Sequence, residues 1–180
     1  HHAARLKPRE LPQQECLSHE LAIAPAPAVT STYEDYFGNL VTNVAVQGAH
    51  KSLVIRARST VKVTGTVLPR PGDTPPWEAA GDRSALPFEA IEFVFDSTAS
   101  RAQFIVESYA RASFPAGRPL LEAVLDLTAR IHDEFTFDPK ATTVATPLTE
   151  VFSSRRGVCQ DFARLEIACL RSLGIPARYI

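Results

Sequence analysis

Cys159 is the residue in this sequence best placed for covalent chemistry. It follows Gly157-Val158 and opens a run to Leu173 whose apolar residues recur at helical spacing. A thiol in the first turn of a helix meets unpaired backbone N–H groups and the positive end of the helix dipole, and both favour the thiolate. The same N–H groups can steady an oxyanion when the thiolate attacks a carbonyl. Gly157 lets other backbone approach closely. Gln160 suits the lining of an oxyanion site, and Asp161 suits support of the helix N-terminus. The competing reading of Cys159 is packing, because a buried cysteine is usually a small hydrophobe.

On a wheel at about 100° per residue, Cys159 shares an apolar arc with Phe162, Ala163, Ile167, Leu170 and Leu173. Gln160, Asp161, Arg164 and Arg171 fall outside it. The arc predicts that Cys159 faces the rest of the protein. Glu166 sits near the middle of the arc, where its carboxylate either pairs with an arginine, snorkels, or tunes the cleft. His132 falls on the polar side of its own helical pattern and reads as a surface histidine, since a base needs a partner. Trp77 reads as a partly buried loop anchor rather than a cleft cover. No His/Cys cluster has zinc spacing, and no metal or organic cofactor is implied.

The elements that carry these residues change character along the chain. Leu17, His19, Leu21 and Ile23 alternate with polar or small neighbours until Pro25 and Pro27. Tyr33 to Phe37 and Leu40 to Val46 flank Gly38-Asn39, a two-residue hairpin signal. Leu53 to Val67 alternates most cleanly, which predicts an antiparallel sheet wet on one face, with Gly65 marking a bulge. Pro69 to about Pro87 reads as a loop or linker. Asp96-Ser97 suits a helix N-cap, with a helix to about Ala112 carrying Phe104, Ile105 and Tyr109 on one side. After Pro119, the residues Leu120, Val124, Leu127, Ile131 and Phe135 predict an amphipathic helix ended by Asp138-Pro139. A Thr-rich loop runs to Pro147. The last helix spans about Val158 to Leu173, closed by Gly174 and Pro176, and Ala177 to Ile180 starts a strand. The fold class that results is α+β, with a β domain over 1–96 and a helical part over 97–180.

Composition excludes several function classes. The 180 residues are 45% hydrophobic and 22% charged with a net charge of -1, so no basic field calls for nucleic acid. No apolar run approaches the roughly 20 residues of a membrane span, and no signal-peptide pattern opens the sequence. The lack of any Met and the stop at Tyr179-Ile180 read as a fragment of a longer protein. Three cysteines are too few for a disulfide scaffold. Cys159 and Cys169 lie about 15 Å apart along a helix, beyond disulfide reach. Reduced thiols in the cytoplasm are the simplest reading.

Taken together, several motifs resemble one family. Gly157-Val158-Cys159-Gln160-Asp161-Phe162-Ala163 and Ala168 through Tyr179 resemble the nucleophile helix of the transglutaminase-like superfamily. Phe135 to Pro139, Thr146-Pro147-Leu148 and Arg155-Arg156 resemble the lead-in of its bacterial branch. His1 to Arg9 and Asp35 to Asn39 resemble that branch's N-terminal β region, so His1 and His2 read as native. The resemblance implies a papain-like cysteine fold after a β domain, with catalytic order Cys, His, Asp and Cys159 as nucleophile. The five histidines are His1, His2, His19, His50 and His132, all before Cys159, so the implied His and Asp lie beyond residue 180. Arg164 stands where the branch commonly has His. The implied function is acyl transfer or hydrolysis at amide or peptide carbonyls through a Cys159 thioester, with a peptide or protein substrate. The alternative is an inert protein- or peptide-binding module of the same fold.

Overall fold

The computed structural model describes residues 1–65, 68–95 and 100–179. The expected strand end at Thr66-Val67, the expected cap at Asp96-Ser97 and Ile180 lie outside these residues. The chain forms two compact units, His1–Leu68 and Pro69–Ile180.

The first unit contains β1 (His2–Ala4), β2 (Gln14–Ala24), β3 (Val29–Glu34), β4 (Leu40–Ala45) and β5 (Val54–Val63). β2 and β5 pair antiparallel, with Leu21 opposite Ala57 and Ile23 opposite Ile55. On the other face Glu20 lies opposite Arg58, a favourable cross-strand match. The antiparallel pairing is what the period-two pattern predicts, but the expected single wet face is not: in this two-stranded sheet Ala57, Val61 and Val63 of the apolar parity of β5 are exposed like their polar neighbours. The register shift falls between Cys16 and Ser18, so the irregularity is in β2 and not at Gly65, which lies past the end of β5. β1, β4 and β3 form an antiparallel sheet in that order, and central β4 buries Val41, Val44 and Ala45.

The β3–β4 turn is longer than the two-residue turn that Gly38-Asn39 suggests, because Asp35 organises it. Its carboxylate accepts from the amides of Phe37 (3.0 Å) and Asn39 (2.9 Å), and from Arg5 Nε (2.8 Å). Gly38 takes φ +75° within that loop, a conformation glycine adopts without penalty.

The second unit contains α1 (Trp77–Gly81), α2 (Phe88–Ile91), α3 (Ser100–Arg111), α4 (Leu120–Glu134), β6 (Thr136–Phe137), α5 (Leu148–Ser154), β7 (Arg156–Gly157) and α6 (Cys159–Ser172). The units divide at 68/69 rather than 96/97, and the Pro-rich stretch shows why. Pro119, the N-cap of α4, has no side-chain acceptor for the orphan amides of the first turn. Pro75 O accepts from Leu120 N–H (2.9 Å) and Thr74 Oγ1 from Leu121 N–H (3.0 Å). Trp77 is buried edge-on against Phe114, with its indole N–H donated to Pro115 O (3.0 Å). The stretch is thus the cap and anchor of the helical unit.

α3 turns Val106, Tyr109 and Ala110 inward, while Phe104 is 73% exposed. The expected grouping of Phe104 with Tyr109 fails because five residues turn a helix by about 140°. α4 buries Ala123, Leu127 and Ile131 as its spacing predicts. Leu148 and Val151 of α5 and Leu165, Ala168 and Cys169 of α6 are also buried. The expected strand at Ala177 does not form. Ala177 N–H donates to Phe93 O (3.1 Å), but its carbonyl accepts from Arg171 Nε (2.8 Å), so no ladder starts there.

Candidate active site

Cys159 is the first residue of α6, as its sequence position predicts, and it is exposed. The N-cap residue, Val158, is extended and its side chain has no acceptor. Asp161 compensates: its Oδ2 accepts from the Val158 amide (3.0 Å) and from Thr142 Oγ1 (2.6 Å). Asp161 is only 3% exposed, although the wheel put it on the polar side. A carboxylate that caps its own helix turns back over the first turn, so its burial follows from the bonds it makes. Gly157 is buried beneath it, and a Cβ there would come within 2.9 Å of Asp161 Oδ2. Gln160 stays exposed. Gly157 and Asp161 thus set the turn from which Cys159 starts the helix.

The backbone leading into Cys159 is tied down from the other side. β6 and β7 pair in parallel, Thr136 N–H donating to Arg155 O and Asp138 N–H to Gly157 O, each at 2.8 Å. Arg156 pairs with Asp138 at 2.7 Å. Neither strand carries a periodic signal, because each is two residues long.

The apolar arc predicted for α6 is half right: Phe162, Leu170 and Leu173 pack against the core, but the fully buried centre lies to one side of the arc. The core is covered by Leu165, Ala168 and Cys169, and the helix is apolar on two sides. The second side carries Cys159, Ala163, Ile167 and Leu170 and lines a groove of about 510 Å³ bordered by Ala177, Arg178 and Tyr179. Cys159 therefore opens toward a groove rather than packing inward. Glu166 also lines this groove, and its carboxylate accepts from Thr128 Oγ1 at 2.7 Å. The expected arginine partner is replaced by a hydroxyl of α4. None of the five histidines lines the groove, and His132 is exposed beside Asp133 (3.0 Å).

The second thiol of α6 behaves differently. Cys169 is fully buried and donates to Val106 O (3.6 Å). Burial, with the Glu166 carboxylate adding to it, pushes its pKa up to about 12. It is a packing cysteine. All three cysteines are free. Among the described residues no group of three or more His, Cys, Asp or Glu gathers as a metal site. Among them, too, no helix is long and apolar enough to cross a membrane.

Sequence reasoning missed Thr142, and it used Arg155 and Arg178 as motif residues without giving either a place at the site. Thr142 sits in an aperiodic loop, and its partner Asp161 gave no sign of burial. The Arg155-Arg156 pair before Gly157 was the available signal for Arg155.

Residues 1–62 match the bacterial transglutaminase-like N-terminal region, and residues 107–180 match the transglutaminase-like superfamily. Uncharacterized proteins of Mycobacterium tuberculosis and Mycobacterium bovis are 41% identical to the chain over 181 residues. These alignments take in 97% of this chain and 57% of each relative, so the chain spans little over half their length. An uncharacterized protein of Mycobacterium leprae is 28% identical over 182 residues, with 98% of this chain and 62% of the relative covered. The fold is similar to that of the crystal structure described as "a Putative Cysteine Protease from Cytophaga hutchinsonii", with a TM-score of 0.72 at 19% identity. That match takes in 97% of this chain and 58% of the other.

Proposed function

We propose, for a chain that belongs to the bacterial transglutaminase-like family, that Cys159 is the nucleophile of an acyl-transfer or hydrolytic reaction at an amide carbonyl. The observation that carries this reading is an exposed thiol on the first residue of α6, opening on the groove. In the reaction, the thiolate sulfur attacks the carbonyl carbon. The C–S bond forms, the C–N bond breaks, and the amine leaves with a proton. Water or a second amine then adds to the thioester carbonyl, and the thiol is regenerated. The amides of the first turn of α6 face the developing oxyanion. Asp161 supports the site by capping α6, accepting from the Val158 amide and the Thr142 hydroxyl. A peptide or protein is the substrate class, and the free thiols fit a reducing compartment such as the cytoplasm.

The alternative is an inert peptide-binding module of the same fold, which would use the same apolar groove without the chemistry of the thiol. One experiment separates the two. A full-length protein is mixed with p-nitrophenyl acetate, and the acyl adduct is located by mass spectrometry. The enzyme reading expects a burst of nitrophenol and an acetyl group on Cys159, both lost in Cys159→Ala. Residues 1–180 alone are expected to show no turnover, for want of a general base. An adduct that survives Cys159→Ala, or none at all in the full-length protein, favours the binding module.

A further inference from the structure

We propose that Arg155 is a positioning residue for Cys159, its caged guanidinium locking the left-handed turn from which the backbone enters α6. The inference rests on the reading of Cys159 as the nucleophile.

Arg155 is the C-cap of α5 and, among the described residues, the only non-glycine with positive φ, at 54°. Helices that end this way usually place glycine there, because a Cβ makes the left-handed region costly. The backbone therefore disfavours Arg155, and the reason for its presence lies in its side chain. The guanidinium carbon lies 4.3 Å from the ring centre of Phe152, 4.5 Å from that of Phe135 and 5.1 Å from that of Tyr109. Those rings belong to α5, the end of α4 and α3, so one cation ties three helices together. Its Nη1 also lies 3.2 Å from Glu134 Oε2. Glu134 is held in turn by Arg130, which stacks on Tyr109 at 4.2 Å.

The cage connects to the thiol by two routes. Through the backbone, Arg155 O holds the Thr136 amide and Gly157 O holds the Asp138 amide, two residues before Cys159. Through side chains, Phe135 touches Phe162 in the first turn of α6, with ring centres 5.9 Å apart. A non-glycine residue kept in a strained conformation by its surroundings is the pattern found where geometry is held for a purpose. A displacement of only about 1 Å at a reacting group is enough to slow chemistry many-fold.

The test uses Arg155→Gly and Arg155→Lys. Glycine is the better cap, so a residue that merely ends α5 is improved by it. The lock predicts the opposite. In Arg155→Gly, amide exchange at Thr136 and Asp138 rises about tenfold while that of Leu127 in the α4 core stays unchanged. In the full-length protein, acetylation of Cys159 by p-nitrophenyl acetate slows about tenfold at saturating ester, with half-saturation unchanged. Arg155→Lys, which keeps a cation for the rings and Glu134, recovers part of both effects. Unchanged exchange at Thr136 and Asp138, or an equal rise at Leu127, overturns the proposal. Exchange that responds beside a Cys159 that never acetylates sinks the nucleophile reading and leaves the lock standing.

Discussion

Gly157 and Asp161 touch so closely that a side chain at the first position would force the second to shift. A Cβ at 157 would lie 2.9 Å from Asp161 Oδ2, closer than Cβ atoms stand, and 3.1 Å from its Cβ, close enough that the neighbour must give by a few tenths of an ångström. The carboxylate cannot simply swing aside, because Val158 N–H and the Thr142 hydroxyl both bond to that same oxygen. Gly157→Ala is therefore expected to destabilise the chain by about 1–3 kcal/mol, the usual range for overpacking a tight site. The unfolding midpoint in urea checks this, and an unchanged midpoint would show that the contact relaxes freely.

Asp161 is expected to act through capping rather than charge alone. Asp161→Ala removes both bonds and leaves the Val158 amide half-buried without its acceptor, a loss of about 1–2 kcal/mol. Thr142→Val removes only the outer bond and should cost less, about 1 kcal/mol. The double variant should cost less than the sum, since the two residues share one hydrogen bond. Strict additivity in a urea double-mutant cycle would show that Thr142 and Asp161 are uncoupled.

How far the sequence could be read depended on the length of the signal. α4 and α6 were legible because their apolar spacing runs over three turns or more, and β2 and β5 because alternation runs over ten residues or so. β6, β7 and α5 were not, since two to seven residues carry no usable period. The position of Cys159 was legible, but its orientation was not. α6 buries Leu165, Ala168 and Cys169 at the centre of its core face and turns Ala163 and Ile167 to the groove, with Leu170 touching both, and a wheel cannot say where along so broad an apolar arc the core ends. Asp161 was misjudged and Arg155 given no place at the site for a common reason: polar residues near a helix end are placed by bonds to distant loops and rings, which local spacing does not encode.

Asp35 offers a pH test in the first unit. The Arg5 guanidinium, with the Asn39 and Phe37 amides behind it, holds its carboxyl at about 2, below the ordinary 3.8. A lowered carboxyl contributes stability above its ordinary pKa and loses it as pH falls toward 2. The β3–β4 turn should therefore loosen between about pH 4 and pH 2. Amide exchange at Phe37 and Asn39 would report it. Arg5→Ala should move the transition to higher pH, and a transition that ignores Arg5 would remove the pairing from the explanation.

Cys159 and Cys169 lie on the same helix and should separate in any thiol chemistry. Cys159 is exposed, while Cys169 is fully buried with its pKa raised from an ordinary 9.0 to about 12. Iodoacetamide at neutral pH should label Cys159 in the native chain and reach Cys169 only after denaturation. The raised pKa also sets the alkaline stability. Below about pH 9 the thiol is protonated in both folded and unfolded chains, and its contribution is fully present. Between about 9 and 12 the unfolded chain has lost a proton that the native chain keeps, so stability falls as pH rises, by up to about 1.4 kcal/mol per unit. Tyr109, pushed from 10.0 to about 12 by burial and the Glu134 carboxylate, adds a fall of the same sign above pH 10. Cys169→Ala should weaken the chain at neutral pH by leaving a small void, yet flatten the decline between about pH 9 and 10, where Tyr109 does not yet titrate. Urea midpoints measured across pH 7 to 11 on both proteins test this. A decline of equal slope in Cys169→Ala would assign the alkaline loss to other groups, and native-state labelling of Cys169 at the rate of Cys159 would mean that the α3–α6 contact opens freely.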